Sequence, residues 1–240
     1  MNKIAVYRPN LPALEPQRVL QGLDHHARGF VPTRMPVLVV TKLFGGAGTD
    51  TLLSMIVHWL TQWTVPPLIV QAGGAQGPLS RGYPSDLFQM FQTLDNDVMA
   101  KTFDAIVSCQ DRPVLVAIDH NLNLAFIEML QSIKSAQLSI RIVCMHLMRT
   151  AQEELKILRH FRDAGAQVAG ATKTPSLDES VPSNVVLIPK LPRHIASMIS
   201  EQNCSFTDAI ATATPGTQLM MRQSLERFFA SMKVIYARDI

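Results

Sequence analysis

A glycine-rich segment stands between an apolar run and a helical pattern in the first third of this chain. The run 37–41 is short and largely apolar, which is typical of a strand covered on both faces of a sheet. The segment after it reads Phe44-Gly45-Gly46-Ala47-Gly48-Thr49-Asp50-Thr51. A strand, glycine loop and helix in this order can bind phosphate, because backbone N–H groups point inward and the helix N-terminus carries partial positive charge. A tight turn that only packs a helix on a sheet has the same pattern.

A carboxylate closes a later apolar run. Asp119 directly follows the run 114–118, and a strand-terminal aspartate is where P-loop proteins hold magnesium. Asn121 and Asn123 follow, so Asp119 could equally be a helix-capping or turn aspartate. The glycine segment and Asp119 come in the order that a phosphate site with a metal ion requires, and together they indicate such a site more strongly than either does alone.

Apolar runs alternate with helical patterns from Pro36 onward. Strands are predicted at 37–41, 67–71, 114–119, 139–145, 167–172 and 184–188. Helices are predicted at 50–63, 85–107, 124–136, 151–164, 192–202 and 218–236, with Gly165 ending the fourth of them. This alternation predicts an α/β domain with a doubly wound, mostly parallel sheet flanked by helices. Ligands of such sheets bind at the carboxyl ends of the strands, where both motifs lie.

The first 35 residues differ from the rest. Pro9, Pro12, Pro16 and Pro32 punctuate them, and only one short helix is plausible there. We therefore expect an N-terminal arm over residues 1–35 and a main domain over residues 36–240. The arm is either a structural extension or a segment that binds a partner.

Composition restricts the class of protein. The 240 residues are 47% hydrophobic and 17% charged, which fits a globular chain and excludes a mostly disordered one. The net charge of +3 comes without a dense basic run, so contact with DNA is permitted but not required. The three cysteines are far apart and form no CxxC pair, so neither a disulfide framework nor a zinc site is expected. No apolar stretch is long enough for a signal peptide or a membrane span, and we expect a cytoplasmic protein.

The order of these motifs resembles that of the ParA/MinD family, the deviant Walker A ATPases. The family's loop reads Lys-Gly-Gly-x-Gly-Lys-[Ser/Thr]-Thr, and the segment that begins at Phe44 is similar to it. The family's Asp-x-Asp-x-Gln-Gly segment resembles 71–77 with one insertion, and its Ile-Asp Walker B pair resembles Ile118-Asp119. Its adenine-side strand and Ile-Pro-Arg loop resemble 186–190, which include Pro189. The resemblance covers the chain from Pro36 to the C-terminus.

The sequence departs from the family pattern at positions where the family has lysines, aspartates or the magnesium-binding hydroxyl. Phe44 stands where the family has its signature lysine, and Thr49 stands where it has the ordinary P-loop lysine. Asp50 occupies the place of the magnesium-binding hydroxyl, where its negative charge would repel a phosphate. The two strand-end aspartates are Gln71 and Gly73. Two residues could compensate, Lys42 by reaching a phosphate and Thr51 by replacing the hydroxyl if the loop shifted.

The resemblance implies a positioning or partitioning protein of the kind that plasmids and conjugative elements encode. Such a protein would form a homodimer through its nucleotide edge, bind ATP with Mg²⁺, and contact a partner protein and DNA. The residues that would hold the nucleotide are Lys42, Gly45, Gly46, Gly48, Thr49, Thr51 and Pro189, with Asp119 toward the metal ion. Lysine and magnesium supply most of the charge stabilisation in phosphoryl transfer, so weak or lost hydrolysis follows, with no catalytic residue.

Other hypotheses remain open at this point. The chain could be a pseudo-ATPase scaffold or regulator in a larger assembly, a reading that Asp50 favours. It could also be a ligase or kinase on the same fold, although those enzymes need the missing P-loop lysine too. Lys173, Lys190 and Arg193 are expected at the same edge, as solvated charges or as contacts to an anion. The apolar stripe of the last helix predicts core packing and comprises Leu219, Leu225, Phe228, Phe229, Met232 and Ile235.

Overall fold

The fold is described from a computed structural model of the chain. It describes residues 36–42, 49–62, 65–74, 80–81, 83–92, 97–109, 111–138, 140–148, 151–172, 185–201 and 204–237. The predicted arm over residues 1–35 lies outside these ranges, as do Gly45, Gly46 and Gly48.

Seven parallel strands form one sheet in the order β3-β2-β4-β1-β5-β6-β7. The strands are β1 Val37–Lys42, β2 Leu68–Ala72, β3 Phe88–Phe91, β4 Val114–Ile118, β5 Ile142–Leu147, β6 Gln167–Thr172 and β7 Val185–Leu187. Strand β1 lies at the centre between β4 and β5. The predicted doubly wound α/β fold is therefore confirmed, and the sheet is parallel throughout the described strands.

Helices cover both faces of this sheet. They are α1 Thr49–Thr61, α2 Val98–Ser108, α3 Asn123–Ser135, α4 Ala151–Asp163, α5 Arg193–Ser200, α6 Phe206–Ala211 and α7 Pro215–Ala237. Two 3₁₀ turns, Ser85–Leu87 and His120–Leu122, precede β3 and α3. Gly165, with φ at 103°, follows α4 as predicted, in the left-handed conformation common after a helix.

Alternate residues of each strand point to opposite faces. Val37 and Val39 of β1 belong to the core beneath α2, α3 and α4, where Phe126 of α3 meets Phe161 of α4 at 5.6 Å between ring centroids. On the opposite face Trp59 of α1 packs edge-on against Tyr236 of α7. The sheet is thus buried on both sides, which explains its continuous apolar runs.

The prediction of one helix over 85–107 was wrong. The chain forms a 3₁₀ turn, then strand β3 paired with β2 from Ile69 opposite Phe88, and only then α2. β3 is an edge strand whose residues are all partly exposed, so it lacks the buried apolar run that marks the other strands.

Helix α6 was not predicted either, although its start carries a sequence signal. The Ser205 hydroxyl accepts a hydrogen bond from the Asp208 backbone N–H at 3.1 Å, as an N-cap does. The last helix begins at Pro215, ahead of the predicted 218. Its apolar stripe is buried as predicted from Leu225 onward, but Leu219 is 60% exposed.

Candidate functional site

The carboxyl ends of β1, β2 and β4 meet at one edge of the sheet. Register pairs Val40 with Ala117, so Lys42 ends β1 beside the point where Asp119 follows β4. The Asp119 backbone N–H donates to the carbonyl oxygen of Ala72 at 2.9 Å, which continues the ladder between β2 and β4. The structure therefore places Lys42 and Asp119 on neighbouring strand ends; the sequence predicted the shared edge but not that the two strands are neighbours.

Asp119 caps the 3₁₀ turn that follows it. Its Oδ1 accepts a hydrogen bond from the Asn121 backbone N–H at 3.2 Å. Nδ1 of His120 lies 2.9 Å from the same oxygen, close enough for an ion pair if the imidazole is protonated. The capping alternative considered for Asp119 is thus correct, and it coexists with the strand-terminal position. One carboxylate oxygen is used within the chain before any metal ion is considered.

A glycine pair faces Asp119 from the end of β2. Gly73 and Gly74 have φ values of 78° and 79°, a conformation that glycine adopts without strain. A Cβ on Gly74 would lie 3.3 Å from Oδ2 of Asp119 and 3.5 Å from Nε2 of Gln71. Gly74 therefore lets the β2 turn approach the aspartate closely.

Gln71 has a structural role in that turn. Its side-chain amide donates to the carbonyl oxygen of Gly73 at 3.2 Å, while the Gly73 N–H donates to Phe91 at 2.7 Å. A neutral amide cannot accept a proton as a carboxylate can. The position that resembles a strand-end aspartate of the ParA/MinD family therefore supports the fold of the edge and supplies no general base.

Asn123 ties the end of β1 to the start of α3. Its Nδ2 donates to the backbone carbonyl oxygen of Lys42 at 2.9 Å, and the residue is 5% exposed. The sequence suggested only a turn residue here. The sequence signal that could have identified this role is an Asn at the start of a helix, four residues after the strand-terminal Asp119.

The start of α1 contains one feature that suits an anion and one that opposes it. Thr49 is 7% exposed, and its Oγ1 has no hydrogen-bond partner among the described residues. Asp50 lies in the first turn, where burial raises the pKa of its carboxyl group and the charge of Lys42 acts in the opposite direction. A carboxylate at a helix N-terminus interacts with the same partial charge that would attract a phosphate. Thr51, the next residue of the helix, is half-buried.

The remaining predicted residues are more distant or lie outside the described ranges. Pro189 follows β7, three strands from β1, which corresponds to roughly 14 Å at the usual strand spacing. Lys190 and Arg193 are exposed near that end of the sheet, and Lys173 is among the residues not described. Pro189 therefore shares the edge with Asp119 but does not lie next to it.

A buried polar cluster behind this edge was missed by sequence reasoning. Thr41 Oγ1 lies 2.8 Å from Nδ1 of His146 and 3.7 Å from Sγ of Cys144. Burial lowers the pKa of His146 to about 4 and raises the pKa of Cys144 to about 12, so both are neutral at pH 7. All three side chains are fully buried. A protonated thiol without access to solvent is no nucleophile, and the cluster serves packing.

The described ranges hold neither a metal-ligating cluster nor a membrane-spanning helix. They contain no group of three or more His, Cys, Asp or Glu side chains that could hold a metal ion. No helix described there is long and apolar enough to cross a bilayer.

Comparisons with known proteins identify no family for this chain. The chain matches no protein-family model, and no curated protein matches it by sequence. Among solved structures it is similar to the signal recognition particle receptor FtsY from Elizabethkingia anophelis, solved in complex with GDP. That match has 13% identity and a TM-score of 0.36, and it covers 78% of this chain and 67% of FtsY. The strand order of the sheet shows the α/β fold without this match.

Proposed function

We propose that this chain is a ParA/MinD-like positioning or partitioning protein that has weakened or lost ATP hydrolysis. The main support for the proposal is that β1 and β4 are neighbouring strands whose carboxyl ends lie at the same edge of the sheet. That edge brings Lys42 and Asp119 to neighbouring strand ends, with the glycine segment leading from β1 into α1. This is the arrangement that a P-loop and a Walker B aspartate require.

The residues of the edge fit nucleotide binding better than phosphoryl transfer. The N-terminus of α1 suits an anion, as does Oγ1 of Thr49, which has no hydrogen-bond partner among the described residues. The negative charge of Asp50 opposes anion binding, and the loop lysines are absent from the sequence. One oxygen of Asp119 already accepts a hydrogen bond. The described residues therefore do not fit a centre that transfers phosphate.

Calorimetry tests the nucleotide part of this proposal. Mg²⁺ with ATP or ADP is titrated into the full chain, and the oligomeric state is measured with and without nucleotide by light scattering. We expect weak binding that shifts the chain toward a homodimer. An absence of binding together with an unchanged oligomeric state would remove the nucleotide-linked switch.

Asp50 favours a second candidate, a non-enzymatic scaffold or regulator that keeps the fold to present surfaces to a protein partner. The carboxylate in the first turn of α1 puts negative charge at the place where a phosphate would bind. Gly46→Val, which would obstruct a bound phosphate, separates the two candidates. If the chain is a scaffold, Gly46→Val should keep full biological activity. If it is a nucleotide-linked protein, the variant should lose that activity.

A further inference from the structure

Strand β3 forms one edge of the sheet, and half of its backbone groups point away from its neighbour. Among the described strands it pairs only with β2. The Gly73 N–H donates to the carbonyl oxygen of Phe91 at 2.7 Å, so the backbone groups of Phe91 face β2. Because backbone groups alternate in direction along a strand, those of Phe88 and Met90 face outward.

The outward groups of Met90 are available to another strand. Neither its N–H nor its carbonyl oxygen has a hydrogen-bond partner in the part of the chain that the structure describes. The Phe88 N–H donates to the carbonyl oxygen of Ser85 in the preceding 3₁₀ turn, while the Phe88 carbonyl oxygen also points outward. Unpaired main-chain groups along an edge are what strand addition uses, since their hydrogen bonds supply the affinity.

The residues of β3 do not protect this edge. Edge strands commonly avoid pairing through a charged side chain, a proline or a bulge. Strand β3 reads Phe-Gln-Met-Phe and contains neither a charged residue nor a proline. Gln89 is exposed, and the other three side chains are only partly buried. The β3 edge therefore carries no chemical feature that would repel a second strand.

The opposite edge of the sheet is protected. Strand β7 has three residues, and the Ile188 N–H after it donates to the carbonyl oxygen of Thr172 on β6 at 2.8 Å. By the same alternation the next residue, Pro189, stands at an outward position, where it has no N–H to donate. Lys190 then adds a positive charge. The contrast between the two edges favours β3 as the edge that pairs.

We infer that β3 binds a second copy of this chain by strand addition, with the two β3 strands antiparallel about a twofold axis at Met90. This axis lets each Met90 N–H donate to the Met90 carbonyl oxygen of the other copy, as in a hydrogen-bonded antiparallel pair. Phe88 then lies opposite Gln92 of the other copy. Gln89 lies opposite Phe91, so no charged residue of one strand meets a like charge.

The surroundings of β3 also suit a second copy. The cleft between β3 and α2 is lined by charges of both signs, namely Asp86, Asp104 and Asp111 with Lys101 and Arg112. Two identical surfaces of mixed sign do not repel each other as two acidic or two basic surfaces would. Because the strand is short, the contact is smaller than a standard interface and the dimer should be weak. The contact uses no residue of the candidate phosphate site, so the inference does not rest on the proposed function.

Sedimentation of the full chain without nucleotide tests the inference. We expect association that grows between roughly 10 and 500 µM, as a small and transient interface would produce. Met90→Lys puts two like charges opposite each other at the twofold axis and should weaken association about tenfold. Leu187→Lys is the matched control, since Leu187 is a 49% exposed residue of the β7 edge, and this variant should associate as the natural chain does.

Disulfide cross-linking locates the contact. The two Met90 Cα atoms of the dimer would lie about 5.5 Å apart, a separation that a disulfide spans. Met90→Cys should therefore form more disulfide dimers under mild oxidation than the natural chain, which has three cysteines of its own. Leu187→Cys should form no more than the natural chain does. Circular dichroism checks that each variant is folded.

Four results would overturn the inference. They are a natural chain that stays monomeric throughout this concentration range without nucleotide, association that Met90→Lys leaves unchanged, association that Leu187→Lys weakens equally, and no added cross-linking of Met90→Cys. If Met90→Lys does not fold, the cross-linking of Met90→Cys decides, because that side chain is small and uncharged. A failure of ATP binding would count against the proposed function and leave these results unaffected.

Discussion

The two faces of the sheet are filled differently. On the face of α1, α6 and α7, Trp59 meets Tyr236 edge-on at 5.3 Å between ring centroids, and the ring of His58 lies 5.3 Å from Phe206 and 5.9 Å from Phe229. On the other face Phe126 and Phe161 fill the space between α3 and α4, while Phe103 of α2 is only partly buried against the core. The aromatic side chains named on the first face are therefore enclosed, whereas the second face leaves one partly exposed.

Each face nevertheless buries one neutral histidine. His58 shares a hydrogen bond with the Thr207 hydroxyl at 2.9 Å, which joins α1 to α6, and His146 shares one with Thr41 between β5 and β1. Both histidines are thus fixed by a threonine hydroxyl. Their second ring nitrogens differ, because Nε2 of His58 lies 3.4 Å from Nε2 of Gln62, whereas Nε2 of His146 has no hydrogen-bond partner among the described residues. Their shared burial and threonine contact allow the two faces to be compared.

The largest expected contrast concerns aromatic truncation on the two faces. Trp59→Ala should lower the free energy of unfolding by about 3–5 kcal/mol, because it leaves a cavity in a fully buried site. Phe103→Ala should cost about 1 kcal/mol, because its side chain is only partly buried. Denaturant unfolding measures both. Equal losses would mean that Phe103 is packed as tightly as Trp59.

Acid should destabilise the chain through the two histidines. Burial lowers the pKa of His58 and of His146 to about 4, whereas an unfolded histidine titrates near 6.5. Between these values the unfolded state binds more protons, so stability falls as pH decreases from 6.5 toward 4, by up to roughly 3 kcal/mol for each histidine.

Unfolding free energies measured between pH 7.5 and 4 test this dependence. His58→Gln and His146→Gln should each remove a similar part of the slope, and above pH 6.5 the histidines should contribute no slope. If only one variant flattened the curve, the two faces would differ in how they bury their histidine.

A smaller effect is expected at the edge between the faces. Gly74→Ala should destabilise the chain by about 1–2 kcal/mol, since the φ of 79° is strained for alanine and the new Cβ would lie 3.3 Å from Asp119. Gly216→Ala on α7 is the control, because nothing lies within 4 Å and alanine favours a helix, so that variant should be slightly more stable. Thermal unfolding of both distinguishes local strain from a general intolerance of substitution.

The smallest effect concerns the tie between β1 and α3. Asn123→Ala removes the donor to the Lys42 carbonyl and should cost about 1 kcal/mol. Hydrogen exchange should show faster exchange at the start of α3 and little change in α7. Uniform acceleration across both helices would show that Asn123 supports the whole fold.

The central strands could be predicted because both of their faces are buried. β1, β4 and β6 are mostly buried and largely apolar runs, and each was predicted to within a residue or two. β3 could not be found in this way, because it lies at the edge of the sheet, is partly exposed, and borders the α2 pattern closely enough to suggest one long helix.

The site was predictable in its positions but not in its contacts. Sequence order predicted Lys42 and Asp119 at the same edge of the sheet, since the carboxyl ends of parallel strands share an edge. It could not show that Asn123 bonds to Lys42, that Gln71 supports the Gly73 turn, or that Thr41 meets His146 across β1 and β5. These contacts depend on register and side-chain direction, which only the folded sheet determines.

Under the proposed function, the chain keeps the strand order of a P-loop protein without its phosphate chemistry. The most direct test is release of inorganic phosphate from ATP with Mg²⁺ by the purified full chain, beside the variant Asp50→Ser combined with Thr49→Lys. We expect no release above background from the natural chain and tighter ATP binding by the variant, because a lysine replaces a neutral residue and the opposing carboxylate is gone. Steady phosphate release by the natural chain, abolished by Asp119→Asn, would contradict the account.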